Sequence, residues 1–221
     1  MTARRRASAR HAWRRGCLLG GLAALLVGCA QTVDGTAVRS APVPGENSRS
    51  PVNVDTVLLD RAQMQAITGA GQDLTPIPGM QSKVPVDIEY LMDTVAAQCR
   101  WVFAETQVFG VEVEEFQKTT YQNPPDRGVI SQAAAGYRDT GTARRAFGAL
   151  AESIRQCASS NQGPTIVGAV STTEDSVGTR AGGCGRDYRV KSAVLVEVTF
   201  CAFPESVPDI VMSNIIANVP G

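Results

Sequence analysis

The sequence contains almost no histidine: its single imidazole belongs to His11, within the first 28 residues. Catalysis by Ser-His-Asp or Cys-His arrangements needs an imidazole as its base, and most catalytic zinc sites use one as a ligand. The sequence also has no Cys-x-x-Cys pair, which argues against structural zinc. We therefore predict a protein that is not an enzyme and that holds neither a metal ion nor another cofactor.

Carboxylates are the remaining candidates for acid–base chemistry, and Glu112, Glu114 and Glu115 form their densest group. Alternate residues of a strand point to the same side, so Glu112 and Glu114 are expected to share a face. A glycoside hydrolase would need two carboxyl groups about 5–9.5 Å apart in a cleft. More often such a pair lies on the solvated face of a sheet, and this is the interpretation we favour.

Lysine is also scarce, with Lys83, Lys118 and Lys191 as the only examples. The first 28 residues hold six of the 21 basic residues and no acidic one, so the remaining 193 residues carry 15 basic against 21 acidic residues. Nucleic-acid binding rests on dense contacts from lysine and arginine to phosphates. We therefore predict no nucleic-acid partner.

The N-terminal residues have the pattern of a secretion signal. Six arginines precede an apolar run of 12 residues, 16–27, which is too short for a mature membrane-spanning helix but typical of a signal peptide. The run closes on Leu-Val-Gly-Cys at residues 26–29, the lipobox pattern of bacterial lipoproteins. We predict a signal peptide over 1–28, lipidation of Cys29, and anchoring to the outer face of the cytoplasmic membrane in the cell envelope. An ordinary cleaved signal is the alternative.

Residues 29–55 are rich in serine, proline, glycine and threonine and are predicted to form a flexible tether, since such a composition cannot build a core. The folded domain is predicted over 56–221. No second apolar run approaches membrane-spanning length.

Cysteine usage indicates an oxidising compartment. Cys17 leaves with the leader and Cys29 takes the lipid, which leaves an even number of cysteines: Cys99, Cys157, Cys184 and Cys201. Four cysteines allow three connectivities, of which we predict Cys99–Cys157 with Cys184–Cys201. A hairpin turn near residues 192–193 places Cys184 opposite Cys201, where the Cα atoms of a non-hydrogen-bonded pair are about 4.5 Å apart.

The pattern of apolar residues predicts an α+β fold. Residues 139–157 form an amphipathic helix whose alanine-rich apolar side ends in Cys157 and suits packing on a sheet. A short helix is predicted over 60–68, partly helical structure over 86–99, and a final helix with Ile210, Val211, Ile215 and Val219 on its apolar side. Strands are predicted over 109–121, with Val111 and Val113 inward, and over 129–137, 165–171, 177–180 and the hairpin 184–201. The expected architecture is an antiparallel sheet with helices packed on one face and two disulfides.

Four residues are candidates for ligand binding: Tyr121, Arg127, Tyr137 and Arg138. The two tyrosines are predicted to lie at the ends of the two strands that flank the Pro124-Pro125 turn. Aromatic rings beside guanidinium donors suit amphipathic or anionic ligands. The alternative is that Tyr137 belongs to the core and that the arginines are solvated.

The assembled sequence resembles the extracellular sensor domain of the PknH-type receptor serine/threonine kinases of mycobacteria, which also occurs as stand-alone lipoproteins. The resemblance runs from about residue 54 to residue 221. It rests on Leu58-Leu59 before the first helix, the strand 129–137, the helix 143–157, and the hairpin from Cys184 through residues 194–198 to Cys201. The final helix, residues 215–219, completes it.

The resemblance implies two disulfides paired as above, an α+β body, and a cleft thought to bind an unidentified ligand. The sequence departs from the family in that Ile154 stands where many members carry a tryptophan before Cys157, and in that the kinase and its membrane span are missing. We predict a lipid-anchored, non-enzymatic sensor or ligand-binding domain for a small-molecule, lipid or envelope ligand. The alternative is an envelope protein-interaction or structural lipoprotein without such a ligand. The oligomeric state is not predicted.

Overall fold

The computed structural model describes residues 48–221, so the predicted signal peptide, Cys29 and most of the predicted tether lie outside the described residues. The helices are α1 (Arg61–Thr68), α2 (Glu89–Met92), α3 (Glu105–Phe109), α4 (Thr140–Ala158), α5 (Gly163–Ile166) and α6 (Ser206–Asn218). Short 3-10 turns occur at Val54–Thr56, Gly71–Asp73, Ala97–Phe103 and Pro124–Asp126. No helix of this part of the chain is both long and apolar enough to cross a membrane.

The strands form one antiparallel sheet in the order β1-β2-β3-β7-β6-β5-β4. Their bounds are Thr75–Pro76 (β1), Glu115–Asn123 (β2), Gly128–Gly136 (β3), Ala169–Thr172 (β4), Ser176–Ala181 (β5), Cys184–Lys191 (β6) and Val194–Cys201 (β7). The predicted fold class, an antiparallel α+β fold with two disulfides, is confirmed.

Helices cover both faces of this sheet, which corrects the prediction that they pack on one face. On one face, Ala133, Ala135 and Leu195 form a core with α4. On the other face, Val196 and Val198 form a second core with α1 and α6. The reason is that β3 and β7 lie in the middle of the sheet and are apolar on both sides. Their alternating residues therefore supply two cores instead of one core and one solvated face.

The long helix α4 is present as predicted. Asp139 caps its N-terminus by accepting a hydrogen bond from the Thr142 amide at 2.7 Å, which satisfies one of the free amides of the first turn. Leu150, Ile154 and Cys157 are fully buried against the sheet. The small side chains of β3 allow this close approach. The short helix α1 is also confirmed, between its Asp60 cap and Gly69 in the left-handed conformation.

The strand predicted over 109–121 is wrong in its first half. Helix α3 occupies 105–109, the chain turns at Gly110 (φ 75°), and β2 begins only at Glu115. Val108 and Phe109 enter the core from α3. Val111, predicted to point inward, is therefore 95% exposed because it follows the turn.

Two further elements differ from expectation. Pro164 sits in the first turn of α5, where its missing amide costs nothing, so the strand predicted from residue 165 begins only at Ala169. In the final helix Ile210 is exposed, while Val211 and Ile215 are buried as predicted. Residues 86–99 are helical only at α2 and at the start of the 3-10 helix Ala97–Phe103.

Both predicted disulfides are present. Cys99–Cys157 joins the 3-10 helix Ala97–Phe103 to the last turn of α4, and both residues are fully buried. Cys184 and Cys201 are directly opposed in the β6–β7 register, with their Cα atoms 4.0 Å apart.

The packed part of the chain starts within the segment predicted as a tether. Val52 and Val54 are buried in the core under α1 and α6. The buried side chain of Gln132 fixes the segment that follows Val54. It accepts a hydrogen bond from the backbone amide of Leu59 at 3.0 Å and donates one to the Leu59 carbonyl at 2.6 Å.

We expect the Cys99–Cys157 bridge to contribute more stability than Cys184–Cys201. The sequence separations are 58 and 17 residues, for which chain entropy gives about 4 and about 3 kcal/mol. The measurement is urea unfolding of the double variants C99A/C157A and C184A/C201A of the full chain. A larger loss in C184A/C201A would contradict this account of the two bridges.

Candidate ligand-binding cavity

A cavity of about 220 Å³ lies between one face of the sheet and the chain segment 80–103. This is the face that α4 also covers. Helix α4 packs on the end of the face that carries Ala135 and Leu195, and the segment 80–103, called the roof from here on, covers the end that α4 leaves free. The cavity thus lies under the roof, beside the part of the same sheet face that α4 covers.

The floor of the cavity is polar because of the strand register. Thr120, Ser131, Thr199 and Arg186 are successive partners across β2, β3, β7 and β6. Their side chains form one row on the same face, since directly opposed residues point to the same side. The Thr120 hydroxyl donates to the Ser131 oxygen at 3.1 Å. Three neighbouring strands thus present hydroxyl groups to the cavity.

A buried carboxylate lies beside this row. Glu197 is only 5% exposed, and its Oε1 accepts hydrogen bonds from the Thr199 hydroxyl at 2.5 Å and the Tyr188 hydroxyl at 3.4 Å. Arg186 Nη1 lies 3.5 Å from the same oxygen. Burial, and then the nearby Glu197 charge, raise the pKa of Tyr188, so its hydroxyl remains a neutral donor.

Arg186 is the counter-ion of Glu197 and also a link to the roof. Burial alone would lower its pKa, but Tyr188 and Glu197 outweigh burial and raise it, so the guanidinium stays charged. Its Nη2 donates to the Val102 carbonyl at 3.0 Å. On the other side of the cavity, Lys118 forms an ion pair with Glu105 of α3. Arg186 therefore holds one side of the roof directly, and Lys118 holds the other side through Glu105, which accepts a hydrogen bond from the Val86 amide at 2.8 Å.

Trp101 forms part of the cavity wall. Its ring lies edge-on to Tyr188 at 6.4 Å between centroids, and the Arg186 guanidinium lies 5.9 Å from the ring centre. The side chain is buried, and its indole N–H is one of the few buried polar atoms in residues 48–221 without a hydrogen-bond partner. A buried donor without an acceptor is costly, and native structures rarely keep one without a reason.

The outer edge of the cavity is apolar and exposed. Met80, Val86 and Ile88 of the roof and Val129 of β3 line it, and all four are large apolar residues open to solvent. Scattered exposed apolar residues need no explanation. Four of them around one opening form a defined surface, called the rim below.

The two tyrosines predicted to bind a ligand are not brought together. Tyr121 pairs with Ile130 near the β2–β3 turn, whereas Tyr137 follows the far end of β3, seven residues beyond Ile130 or ~23 Å at about 3.3 Å per residue. They also belong to the cores on opposite faces of the sheet. Tyr137 is fully buried, and its hydroxyl donates to the Phe109 carbonyl at 2.7 Å, so it is a core residue.

Tyr121 and the two predicted arginines lie apart from the cavity. Tyr121 is mostly buried, which raises its pKa, and it borders a shallow groove with Asp60 and Arg61 on the opposite face. Arg127 is exposed in the turn after Pro124–Asp126. Arg138 forms ion pairs with Glu112 and Asp139. A ligand role for these three residues stays a prediction.

The carboxylate group considered for acid–base chemistry is used in structural contacts. Glu112 pairs with Arg138 and Arg145, and Glu114 pairs with Arg49. Glu115 accepts a hydrogen bond from the Val54 amide at 3.2 Å. None of these residues lines the cavity.

Comparison with known proteins identifies one family and a similar solved structure. The family model described as the PknH-like extracellular domain matches residues 50–215. The crystal structure of the extracellular domain of PknH from Mycobacterium tuberculosis is similar, with a TM-score of 0.53 and 16% sequence identity over 80% of this chain and 96% of that one. At this identity the likeness concerns the fold. No curated protein sequence matches the chain significantly.

We expect Glu197→Gln to destabilise the protein by about 2–3 kcal/mol, because it leaves the largely buried Arg186 charge without its counter-ion. The double variant Arg186→Met/Glu197→Gln should recover part of this loss, since no unpaired charge remains. Urea unfolding of the single and double variants measures both effects.

Glu152→Gln is the matched control, because Glu152 pairs with Arg155 on the exposed side of α4 and exposed pairs contribute little. If the two single substitutions had equal effects, the Arg186–Glu197 pair would not be the buried contact described above.

Proposed function

The chain belongs to the family of PknH-like extracellular domains, and from this membership and the cavity we propose that it is an extracytoplasmic ligand-binding lipoprotein. In this proposal Cys29 carries the lipid that anchors the protein to the outer face of the cytoplasmic membrane. Residues 48–221 form the binding domain, and the cavity between the sheet and the roof is the ligand site.

One observation carries the ligand-binding part of the proposal: a cavity with a floor of hydroxyl groups and ion-paired side chains opens at an apolar rim. Ligand sites are typically concave and largely apolar, with a few placed polar groups that fix orientation. An exposed apolar surface alone would favour a protein-interaction function. Here the apolar rim surrounds the opening of a cavity, which favours a small ligand.

A non-enzymatic function fits the chemistry of the cavity. Its one buried carboxylate, Glu197, is already bonded to Thr199, Tyr188 and Arg186. Three donors on Oε1 fix this carboxylate in the floor, and the residues that line the cavity include neither a histidine nor a cysteine to act beside it. The groups in the floor therefore suit binding better than catalysis.

The lipid anchor is tested by Cys29→Ser in the full chain. We expect this variant to leave the membrane fraction or to stay unprocessed, because the thiol of Cys29 accepts the diacylglyceryl group. Cys17→Ser is the matched control in the same leader and should fractionate like the unchanged protein. The measurements are membrane fractionation and the intact mass of the mature chain. Equal fractionation of all three proteins, with no lipid mass on Cys29, would exclude the anchor.

The ligand site is tested by filling the cavity opening. We expect native mass spectrometry of the protein released from its own membranes to detect a bound small molecule, and Val129→Trp to lose it. Val170→Trp, on the exposed edge strand β4, is the matched control and should keep the bound mass. The site would be elsewhere if Val129→Trp retained the bound mass and Val170→Trp lost it.

A further inference from the structure

Resting on the proposed function, we infer that the ligand is an uncharged amphiphile whose head group bears hydroxyl, ester or ether oxygens. The head enters the cavity and accepts a hydrogen bond from Ser131, while the apolar chain lies on the rim. Acylglycerols and neutral glycolipids belong to this class.

The balance of charge in the cavity wall argues for an uncharged head. Its four charged groups already form two ion pairs, Lys118–Glu105 and Arg186–Glu197. Their side chains are between 6% and 26% exposed, so they are poorly screened by solvent. An anionic head would meet two carboxylates, and a cationic head would meet the lysine and the arginine. Either one would have to displace an existing partner and leave a charge unpaired, which is strongly unfavourable.

One donor in the floor remains without an acceptor. The Ser131 oxygen accepts from Thr120, which leaves the Ser131 proton to donate. A hydroxyl both donates and accepts. An oxygen acceptor on the ligand therefore pairs with a proton for which residues 48–221 supply no acceptor.

The size of the cavity and the position of the rim argue for an amphiphile. About 220 Å³ is room for about seven water molecules at about 30 Å³ each, and it is less than the 300–1,000 Å³ of sites for drug-sized ligands. The cavity thus accommodates a head group and not a whole lipid. Met80, Val86 and Ile88 continue the surface outward from the opening, where an acyl chain would cover them.

The chain offers its own reporter for the test, since its only two tryptophans are Trp13 and Trp101. In the proposed function residues 1–28 leave with the signal peptide, so the mature lipoprotein, reconstituted in phosphatidylcholine vesicles, has Trp101 as its sole indole. Three probes of equal chain length are titrated: 1-monooctanoylglycerol, octanoate and octylammonium. We expect a saturable change of Trp101 emission with 1-monooctanoylglycerol, and at least about tenfold weaker binding of the two charged probes. Glycerol without an acyl chain should not bind in the same concentration range.

Two pairs of variants separate head from tail. Ser131→Ala should weaken binding of 1-monooctanoylglycerol about three- to tenfold, the range expected for one hydrogen bond, and Ser171→Ala on β4 should not change it. Ile88→Ser should weaken it about tenfold through lost apolar contact. Ile210→Ser, on α6 and also exposed, should not. Thermal unfolding of each variant establishes that it is folded.

The outcomes are distinguishable. Equal or tighter binding of octanoate or octylammonium, lost with Ile88→Ser, would overturn the uncharged class but leave the cavity as the ligand site. Binding of 1-monooctanoylglycerol that is unaffected by both Ser131→Ala and Ile88→Ser would place the amphiphile elsewhere. If none of the three probes changes Trp101 emission, both this inference and the cavity as a site for amphiphiles fail.

Discussion

The buried Cys99–Cys157 bridge is the contact on which the shape of the candidate site depends. It joins the roof to the last turn of α4, so the two coverings of one sheet face are covalently linked. Helix α4 is fixed by an apolar interface with the sheet, whereas the roof has little regular structure of its own. Its α2 has four residues and no buried one. The roof therefore depends on the bridge, on the buried side chain of Trp101, and on contacts from Lys118 and Arg186.

The change from apolar to polar along one sheet face explains why a cavity forms there. Rows of opposed residues run from Phe116, Ala135 and Leu195 under α4 to Thr120, Ser131 and Thr199 under the roof. A close-packed apolar helix over Thr120, Ser131 and Thr199 would bury their hydroxyl groups and the neighbouring charged side chains without hydrogen-bond partners. Such burial is unfavourable. The irregular roof instead supplies the Val102 carbonyl to Arg186, and the adjacent helix α3 supplies Glu105 to Lys118. The Ser131 proton is left to a ligand.

The elements with strong local patterns could be predicted from the sequence. The apolar arc of α4, its Asp139 cap and the placing of Cys184 opposite Cys201 are all consequences of spacing over fewer than 20 residues. The cavity could not be predicted, because its floor depends on the pairing of β3 with β7, about 65 residues apart in the chain. Its roof also depends on contacts between distant parts of the chain, such as Ser82 with Lys118. The one local feature of the sequence that points to the cavity is Glu197, a carboxylate within an otherwise apolar strand. Tyr121 and Tyr137 were favoured for their chemistry, but they lie at opposite ends of the β2–β3 hairpin.

The most direct test of the account is amide hydrogen exchange in the full chain with and without the Cys99–Cys157 bridge. If the bridge holds the roof over the polar floor, C99A/C157A should exchange faster in residues 86–103 and at the Trp101 indole, while β3 and β7 keep their protection. Unchanged protection of residues 86–103, or a uniform loss across the sheet, would contradict the claim that this bridge forms the cavity.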